Sequence, residues 1–542
     1  MAVCLWCCFL VRGLFYCMVL PMWEGFDEYA HFAYVQYIAE GHGWLVSRET
    51  SASREVERSI ELVPMPWTSR SDPNPHETHD SYWLLPAGSR RDRERELAAL
   101  GPSLAGESAI GYVPVESQQP PLNYWLMAAI YKLFSGASLT TQLGVLRILN
   151  VLLASIAVPA TWVTAQRIFP LTNLGTPAFV ISRAATAASV IVALQPELFF
   201  DSARVANSGL AIALYSTLSV LCLRIIDEKR GAIFQTGIVL GLGLLTKAFF
   251  LAAVPVVILI MVWSALRRST HALSVIGGLA LTISISGWWY ARSLRLTGSL
   301  SGVMQAVALR QVPLIERLRH IRQVDWRSAA NSAFLSHIWF GGWSFLQLRA
   351  WIYHFFALLA FLALLGLFVT WTKHAPVRQH LLVMAGIYGA FCAALAYHVL
   401  LTFLANGVSS SAGWYLCAVG VPEAVLASLG LWVLTPARIR PYGLGAVALS
   451  FAALDLYGMF FVAIPYYTGM IAHGPADRLA AFHWAALARI GGAEALHRLA
   501  IDKPSAIGAD SLVAAGCAYV IATSALVALA FYPAGTKETV TV

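Results

Sequence analysis

Long apolar runs, repeated along almost the whole chain, are the feature that most limits how this chain can fold. Twelve segments approach or exceed the length of about 20 apolar residues that an α-helix needs to cross a bilayer. They are 2–21, 144–166, 176–198, 207–225, 232–246, 248–266, 274–291, 351–372, 381–404, 413–434, 441–463 and 511–531. Only 12% of the residues are charged, about half the share usual in soluble proteins. The sequence therefore predicts an all-α polytopic membrane protein of about twelve transmembrane helices.

Basic residues between these segments fall on alternate loops. If residue 1 lies in the cytoplasm, every basic cluster lies in a cytoplasmic loop, as the positive-inside rule expects. The clusters are Arg167, 224–230, 267–269, 373–378 and 437–440. The net charge of +8 therefore gives no reason to expect a nucleic-acid partner. We expect a multi-pass protein of the cell's inner (plasma) membrane, surrounded by membrane lipids, whose first apolar segment stays in place as an uncleaved helix.

The loops divide the chain unevenly. The predicted regions are a membrane region, 1–463, with a first extracytoplasmic loop at 22–143, an extracytoplasmic segment at 464–510, and a last helix with its cytoplasmic tail at 511–542. Within the first loop, 120–134 is apolar but short and is opened by prolines. A crossing there would move every later basic cluster to the other side, so we expect a helix lying in the outer interface. The role of 464–510, either acceptor binding or connection, stays open.

The stretch "PMWEGFDEYAHFAYVQYIAEGHG" follows the first apolar segment and carries Asp27, Glu28 and His31. On a helix over 24–40, these three side chains share one arc. An apolar stripe of Phe26, Ala30, Ala33 and Tyr37 lies on another side and is expected to face the membrane. Neighbouring carboxylates beside apolar surface resist ionisation, which suits a general base. Acidic residues at a helix N-terminus also offset the helix dipole, so a purely structural role stays open.

Further polar residues stand at predicted outer ends of membrane helices. They are Gln119 in "ESQQPPLNYWL", Glu197, Asp201, Arg204 and Asn207 in "LQPELFFDSARVANSGL", Lys247 in "GLGLLTKAFF", and Arg292 in "SGWWYARSLRL". Each has a structural alternative: a helix start, a water boundary, a snorkelling lysine or an interfacial anchor. Lys247 is the most informative, because an ammonium group at the apolar boundary is costly without a partner. A lipid phosphate would be a suitable partner.

Two patterns that resemble metal sites point elsewhere. The segment 72–80 gathers Asp72, His76, His79 and Asp80, but a solvated loop accounts for this composition. The "DEYAH" sequence lacks the first histidine of the H-E-x-x-H zinc motif, which argues against a metalloprotease. The eight cysteines all lie in apolar segments without disulfide or zinc spacing and are expected to serve as packing residues.

Taken in order, these motifs resemble the GT-C membrane glycosyltransferases, which include protein O-mannosyltransferases and aminoarabinose transferases. The resemblance covers about residues 1–435 and rests on "FDEYAHFAYVQYIAEG", "QPPLNYWL", Arg147 in "LGVLRILN", the Asn207 helix end, "GLGLLTK", "GWWYAR" and "GWYL". Three positions depart from the pattern. Ser208 replaces an acidic residue, Ser293 replaces an asparagine and Trp414, before Tyr415, replaces an arginine.

The resemblance implies a GT-C-like bundle, with 1–463 as its catalytic region. It implies an inverting transferase that moves a sugar from a polyprenyl-phosphate donor to an extracytoplasmic glycan, lipid or protein acceptor. Asp27 and Glu28 would be the catalytic carboxylates. The substrate-binding residues would be His31, Gln119, Arg147, Asn207, Lys247, Arg292 and Tyr415. No protein metal ligand is assigned and no cofactor is certain, although the resemblance leaves a divalent cation open.

A non-enzymatic transporter or flippase of lipid-linked sugars is the alternative. Transporters usually show internal repeats and place polar residues near the middle of the membrane. Here the ionisable residues gather at one predicted face and no repeat is visible, so the sequence favours a transferase.

Overall fold

The architecture is a bundle of membrane-length helices with smaller helices at one end. It was obtained as a computed structural model that describes residues 1–46, 50, 52–71, 76–100, 115–172, 175, 177–229, 231–267 and 272–531. The α-helices are α1 (Ala2–Val19), α2 (Glu28–Ala39), α3 (Arg54–Leu62), α4 (His79–Tyr82), α5 (Ala87–Ala99), α6 (Leu122–Leu133), α7 (Leu139–Ala154), α8 (Ala157–Ile168), α9 (Ala178–Leu194), α10 (Pro196–Ser202), α11 (Ser208–Ile226), α12 (Ala232–Leu244), α13 (Ala253–Arg267), α14 (Ala272–Thr297), α15 (Met304–Ala308), α16 (Leu314–Arg319), α17 (Trp326–Ile338), α18 (Ala350–Lys373), α19 (Arg378–Asn406), α20 (Gly420–Leu434), α21 (Arg440–Gly458), α22 (Ile464–Tyr467), α23 (Trp484–Ile490), α24 (Gly492–Ala500) and α25 (Ala509–Phe531). The described ranges contain no β-strand.

The membrane helices confirm the predicted all-α polytopic class. Ten helical stretches in the described residues are long and apolar enough to span a bilayer. The pair α9 and α10, bent by 52° ahead of Pro196, would make an eleventh, and α12 is apolar but shorter. Each of the twelve predicted segments therefore corresponds to a helix or a helix pair. The protein is a multi-pass membrane protein.

Small residues allow the closest helix crossings. A Cβ atom on Gly366 of α18 would lie 1.9 Å from the carbonyl oxygen of Gly430 on α20. A Cβ atom on Gly237 of α12 would lie 2.2 Å from the carbonyl oxygen of Gly278 on α14. Lipid supplies no hydrophobic driving force between helices, so close backbone contact of this kind holds membrane helices together.

Three of the predicted cytoplasmic loops meet at one end of the bundle. Asp227, after α11, accepts a hydrogen bond of 3.2 Å from Arg167 at the end of α8. The Nε2 atom of His380, at the start of α19, lies 3.0 Å from the other Asp227 oxygen. This arrangement agrees with the prediction that the basic clusters share one side. Arg230 and residues 268 and 269 of the predicted clusters, and the tail 532–542, lie outside the described residues.

Residues 464–510 pack against the predicted first outer loop, 22–143, at the opposite end of the bundle. His473 donates its backbone N–H to Asp80 over 2.7 Å, and the Trp83 indole donates to the Tyr467 carbonyl over 2.9 Å. Lys503 donates to the carbonyl of Leu20, the residue after α1, over 2.9 Å. The segment therefore braces the chain that leads from α1 to α2.

The expectation of a solvated loop at 72–80 is wrong for His79. Its side chain is buried, and its Nε2 atom lies 3.4 Å from Oε2 of Glu24, which is equally buried. Asp80 is held by His473. The composition of the segment gave no sign of this burial, because the partners are about 50 and 400 residues away in sequence. Asp72 lies outside the described residues.

A buried ion pair ties α1 to α21 inside the bundle. The guanidinium of Arg12 donates to Asp455, which also accepts hydrogen bonds from the hydroxyls of Tyr16 and Tyr519 on α25. Both charged side chains are fully buried. The pair explains why an arginine occurs in the middle of the first apolar segment.

Replacing one partner of this pair should destabilise the protein. Asp455→Asn would leave the Arg12 charge buried without compensation, which typically costs about 3–5 kcal/mol. We expect a lower thermal unfolding temperature in detergent, measured by the loss of monodisperse protein. Lys132→Gln, which changes an exposed residue of α6, is the control and should have no effect. Equal unfolding temperatures for Asp455→Asn and the control would contradict the assigned role.

Candidate active site

The turn between α1 and α2 places Asp27 in an unusual backbone conformation. Asp27 is the residue before α2 and has a φ of 53°, in the left-handed region that non-glycine residues seldom adopt. Trp23 in the same turn has a φ of 65°. Such conformations persist only when their surroundings fix them, and they are common at functional sites. Because Asp27 precedes α2, the prediction that its side chain shares one helical arc with Glu28 and His31 does not apply.

Glu28 and Arg147 form a buried ion pair beside this turn. The Nε and Nη2 atoms of Arg147 donate to the two Glu28 oxygens over 2.8 and 2.6 Å. Arg147 also donates to the carbonyls of Leu20 and Pro21, and Glu28 accepts the N–H of Val205. This network satisfies both charged groups. Glu28, predicted to be catalytic, and Arg147, predicted to bind substrate, are thus each other's ion-pair partner in the structure.

Arg204 holds the turn from a second side. It donates to Asp201 over 2.5 Å and to the carbonyl of Phe26. Glu197 is also buried and accepts the N–H of Phe340 over 3.0 Å. Asp201 is therefore engaged in the protein scaffold, as is one of the two Glu197 oxygens, whereas Glu197 Oε1 has no hydrogen-bond partner in the described residues.

The predicted apolar stripe of α2 does not face lipid. Phe26, Ala30 and Ala33 are all buried inside the protein, and Phe26 stacks on Trp414 with the ring centroids 3.7 Å apart. The outer loop and α6 cover the helix on the side expected to meet the membrane. The stripe is a protein packing surface.

A cavity of about 780 Å³ opens beside Asp27. Its polar lining residues include Asp27, Glu116, Gln118, Gln119, Lys247, Arg310, Arg317, His398 and Tyr415. Its apolar lining includes Phe249, Leu251 and Ala252 next to α13 and Phe391, Ala394 and Leu395 on α19. The apolar lining thus comes from membrane-length helical stretches, and most of the polar lining comes from the shorter connecting segments, with His398 on α19 and Tyr415 in the span Gly413–Leu434 as further polar groups. A ligand with a polar head and an apolar chain would match this division.

Lys247 points into the cavity, whereas a snorkelling lysine would reach for the lipid surface. Its ammonium group lies 4.9 Å from the centre of the Phe249 ring and 5.3 Å from that of Tyr415. In the part of the chain that the structure describes, this ammonium makes no hydrogen bond or ion pair. Burial lowers the pKa of Lys247 to about 8, against the opposing effect of Asp201, Glu116 and Asp27. Lys247 is therefore a buried amine without a counter-ion among the described residues.

Glu116 is a cavity residue that the sequence analysis did not single out. It lies in a 3-10 turn, Val115–Gln118, just before the two prolines that open α6. Its Oε2 atom is buried and has no hydrogen-bond partner in the described residues. Burial and then the charge of Asp27 raise the pKa of Glu116 to about 7. Glu116 lies in the segment "ESQQPPLNYWL", three residues before Gln119. This closeness to a predicted site residue was the signal that the sequence offered.

The remaining predicted residues surround the cavity at different distances. His31 places Nδ1 2.7 Å from the Tyr124 hydroxyl and Nε2 3.9 Å from Glu116, so it contacts a lining residue. Asn207 donates to Gln119 over 3.2 Å and braces it. Arg292 lies with its guanidinium 5.3 Å from the centre of the Trp289 ring and does not line the cavity. Of the predicted residues, Asp27, Gln119, Lys247 and Tyr415 line it directly.

A second cavity of about 460 Å³ lies on the other side of α19 and is mainly apolar. Its charged residues are His337 and Glu423, whose side chains are 2.7 Å apart. None of the predicted site residues lines it. Among the described residues, no group of three or more His, Cys, Asp or Glu side chains could hold a metal ion.

The two adjacent acids should behave differently when replaced. Glu28→Gln breaks a buried, fully satisfied ion pair, and we expect a loss of about 3–5 kcal/mol in folding free energy. Asp27→Asn removes a charge that burial disfavours, so stability should change by no more than about 1 kcal/mol or increase. Thermal unfolding of the two variants in the same detergent measures the contrast. A large loss for Asp27→Asn with none for Glu28→Gln would reverse the assignment.

Comparison with known proteins identified structures but no sequence relatives. No family model matches the chain, and no curated protein matches it. The chain is similar to ArnT from Cupriavidus metallidurans bound to undecaprenyl phosphate, with 15% identity, 98% of this chain and 77% of that chain covered, and a TM-score of 0.44. The chain is also similar to ArnT from the same organism in the apo state, with 15% identity, 92% of this chain and 75% of that chain covered, and a TM-score of 0.37.

Proposed function

We propose that this protein is a GT-C membrane glycosyltransferase that uses a polyprenyl-phosphate-linked sugar. The observation that carries the proposal is the cavity that holds the carboxylate of Asp27 and the ammonium of Lys247, which has no ion-pair partner among the described residues, between mainly polar and mainly apolar lining. Such a donor has an isoprenoid chain, a phosphate and a sugar, and each part has matching chemistry in this cavity. We place the site on the extracytoplasmic face of the inner membrane, opposite the basic loops.

Asp27 would be the general base. Its carboxylate takes the proton of an acceptor hydroxyl, and the electron pair of that O–H bond stays on the oxygen. The oxygen forms a bond to the anomeric carbon of the sugar while the bond from that carbon to the phosphate oxygen breaks. The phosphate leaves with the electron pair of the broken bond. One displacement from the opposite face inverts the anomeric configuration.

Lys247 would stabilise the leaving phosphate. Negative charge grows on this group in the transition state, and a fixed cation in a partly dry site is most effective there. Arg310 and Arg317, on the outer segments that line the same cavity, supply further positive charge near its mouth. Gln119 and Tyr415 would bind sugar hydroxyls, with Asn207 holding Gln119 in place. Glu28 and Arg147 act as scaffold.

Replacing Lys247 should weaken donor binding, and replacing Asp27 should stop transfer. A charge-assisted hydrogen bond contributes about 1.5–3 kcal/mol, so Lys247→Met should bind undecaprenyl phosphate about 10- to 100-fold more weakly. Asp27→Asn should bind it normally but slow turnover at least about 100-fold. Binding is measured by native mass spectrometry. Turnover is measured in proteoliposomes with a panel of labelled polyprenyl-phosphate sugars and cell-envelope acceptors.

Two variants control these measurements. Lys132→Met changes an exposed lysine of α6, and Glu61→Gln changes an acid whose side chain is 50% exposed. Both should keep binding and turnover. Movement of labelled lipid across the bilayer without sugar transfer would contradict the proposal and favour the transporter. Full turnover by Asp27→Asn would contradict the assigned base.

The depressed pKa of Lys247 predicts how donor binding depends on pH. The ammonium is charged below about pH 8 and loses its charge as the pH rises further. Because the phosphate stays ionised, affinity for undecaprenyl phosphate should fall about tenfold between pH 7 and pH 9.5. In Lys247→Arg the guanidinium stays charged, so affinity should be constant over this range. A parallel fall in both proteins, measured by thermal shift with added lipid, would show that another group titrates.

A further inference from the structure

Four aromatic side chains that are not fully buried lie beside the cavity. They are Phe340, Trp343, Phe345 and Trp414, and we call them the aromatic patch. The ring centroid of Phe340 lies 4.5 Å from that of Phe345 and 6.0 Å from that of Trp414. None of the four side chains lines the cavity itself. Aromatic rings that stay partly open to solvent next to a candidate active site are candidates for ligand contact.

The buried ring of Phe26 joins the aromatic patch to Asp27. Phe26 stacks on Trp414 with the ring centroids 3.7 Å apart, and it meets Trp343 edge-on at 6.2 Å. Asp27 is the next residue in the chain, and consecutive Cα atoms are only about 3.8 Å apart. Trp414 is likewise followed by Tyr415, which lines the cavity. The aromatic patch therefore borders the cavity next to Asp27 and Tyr415.

The turn that carries three of the patch residues, 340–345, is held in a strained conformation. Phe345 has a φ of 50°, in the left-handed region. The carboxylate of Glu24 accepts the backbone N–H and the hydroxyl of Ser344, each over 2.9 Å. Glu24 belongs to the same turn as Asp27, so the two turns are attached to each other. A left-handed phenylalanine persists only where its surroundings impose it, which is common at binding sites.

The chemistry of the aromatic patch fits a sugar ring. Its four side chains are uncharged, and the indole N–H groups of Trp343 and Trp414 make no hydrogen bond within the described residues. A pyranose has an apolar face of C–H groups and a rim of hydroxyls, which match an aromatic face and an indole N–H. An apolar chain lying on the same rings would take water from the N–H groups and leave them without a partner.

Trp414 is also one of the three positions at which this chain departs from the GT-C pattern. The pattern has an arginine there, and this chain has an indole ring instead. The replacement exchanges a positive charge for a flat aromatic surface directly before Tyr415. At this position the chain is therefore suited to an uncharged ligand.

We propose that the aromatic patch binds a neutral pyranose ring of the acceptor, which makes the acceptor a glycan. This inference rests on the proposed function and names the acceptor class that the proposed function leaves open. The pyranose packs on Trp343 and Trp414, and a hydroxyl of the same glycan reaches Asp27. The patch residues position the acceptor and take no part in bond making, so the transfer step needs no further reactant.

Oxidation of tryptophans tests the aromatic patch in the wild-type protein. N-bromosuccinimide oxidises accessible indole rings, and peptide mass spectrometry measures the oxidation of each ring. The full-length protein in detergent is treated with and without linear hexasaccharides of glucose, mannose, galactose or N-acetylglucosamine. At least one of them should protect Trp343 and Trp414. Trp484, which lies on α23 and is 67% exposed, is the internal control and should be oxidised equally with and without saccharide.

Three results of this experiment would overturn the proposal. The first is that Trp343 and Trp414 resist oxidation in the free protein. The second is that none of the four hexasaccharides protects them, or that protection is equal at Trp484. The third is that undecaprenyl phosphate protects them and the saccharides do not, which would assign the patch to the apolar chain of the donor.

Replacement of the rings measures their contribution to binding. Trp343→Ala and Trp414→Ala should each weaken binding of the protecting saccharide at least about fivefold, because a ring that packs on the ligand is lost. Trp414→Phe keeps an aromatic face and should lose less than Trp414→Ala. Trp484→Ala is the matched control and should bind as the wild type does. Isothermal titration calorimetry in detergent gives the affinities.

The variants differ in the risk of misfolding. Trp414 stacks on Phe26, whereas Trp343 meets it only edge-on, so Trp343→Ala decides the test if Trp414→Ala does not fold. The thermal unfolding temperature of each variant is measured beside its affinity. Equal saccharide affinity in the wild type and in folded Trp343→Ala would overturn the proposal.

Oxidation and saccharide binding need no donor, so their failure is distinct from a failure of the proposed function. Saccharide binding at the aromatic patch without sugar transfer would support the patch and reject the transferase. Transfer that depends on Asp27, to acceptors that do not protect the patch, would support the transferase and reject the patch. If both hold, Trp343→Ala should raise the KM for the glycan acceptor and leave kcat and the KM for the donor unchanged.

Discussion

The buried ion pair of Glu28 and Arg147 is the interaction on which the arrangement of the site depends. A charge taken out of water must be matched by another charge and by hydrogen bonds, or the structure loses several kcal/mol. Here Arg147 on α7 satisfies both Glu28 oxygens and also two carbonyls at the end of α1. The start of α2 is therefore fixed on α7. The preceding residue, Asp27, adopts a left-handed conformation and lines the cavity.

The buried charged residues that hold helices together are paired with an opposite charge, whereas Lys247 in the cavity is not paired within the described residues. Arg12 with Asp455, Arg147 with Glu28 and Arg204 with Asp201 are buried pairs in close contact. The first two pairs join helices that are far apart in sequence, whereas Arg204 and Asp201 are three residues apart. In the cavity, by contrast, Lys247 has no anion in contact within the described residues. A negatively charged substrate would supply the missing counter-ion.

Local sequence patterns predicted the membrane part of the fold well. Apolar length alone located the twelve helical segments, because crossing a bilayer imposes that length. Loop charge predicted that the basic clusters share one side, and Arg167 and Asp227 from two of these loops meet His380 at one end of the bundle. The motifs brought Asp27, Gln119, Lys247 and Tyr415 to one cavity although they span about 390 residues of sequence.

Contacts between distant segments could not be predicted in the same way. A helical wheel over 24–40 puts Asp27 and Glu28 in one arc, but the helix begins at Glu28 and the two side chains have different surroundings. The pairing of Glu28 with Arg147, the burial of His79 and the exposure of Glu116 to the cavity each depend on a partner far along the chain. No local period or spacing encodes such a partner.

The most direct test of the account is an experimental structure of the protein with a non-hydrolysable polyprenyl-phosphate sugar. We predict that a phosphate oxygen lies within hydrogen-bond distance of the Lys247 ammonium. The isoprenoid chain should run along the α13 and α19 wall, and the anomeric carbon should face the cavity side on which Asp27 lies. A phosphate bound away from Lys247, or a sugar on the side of α19 that faces His337 and Glu423, would contradict the central claim that this cavity is the transfer site.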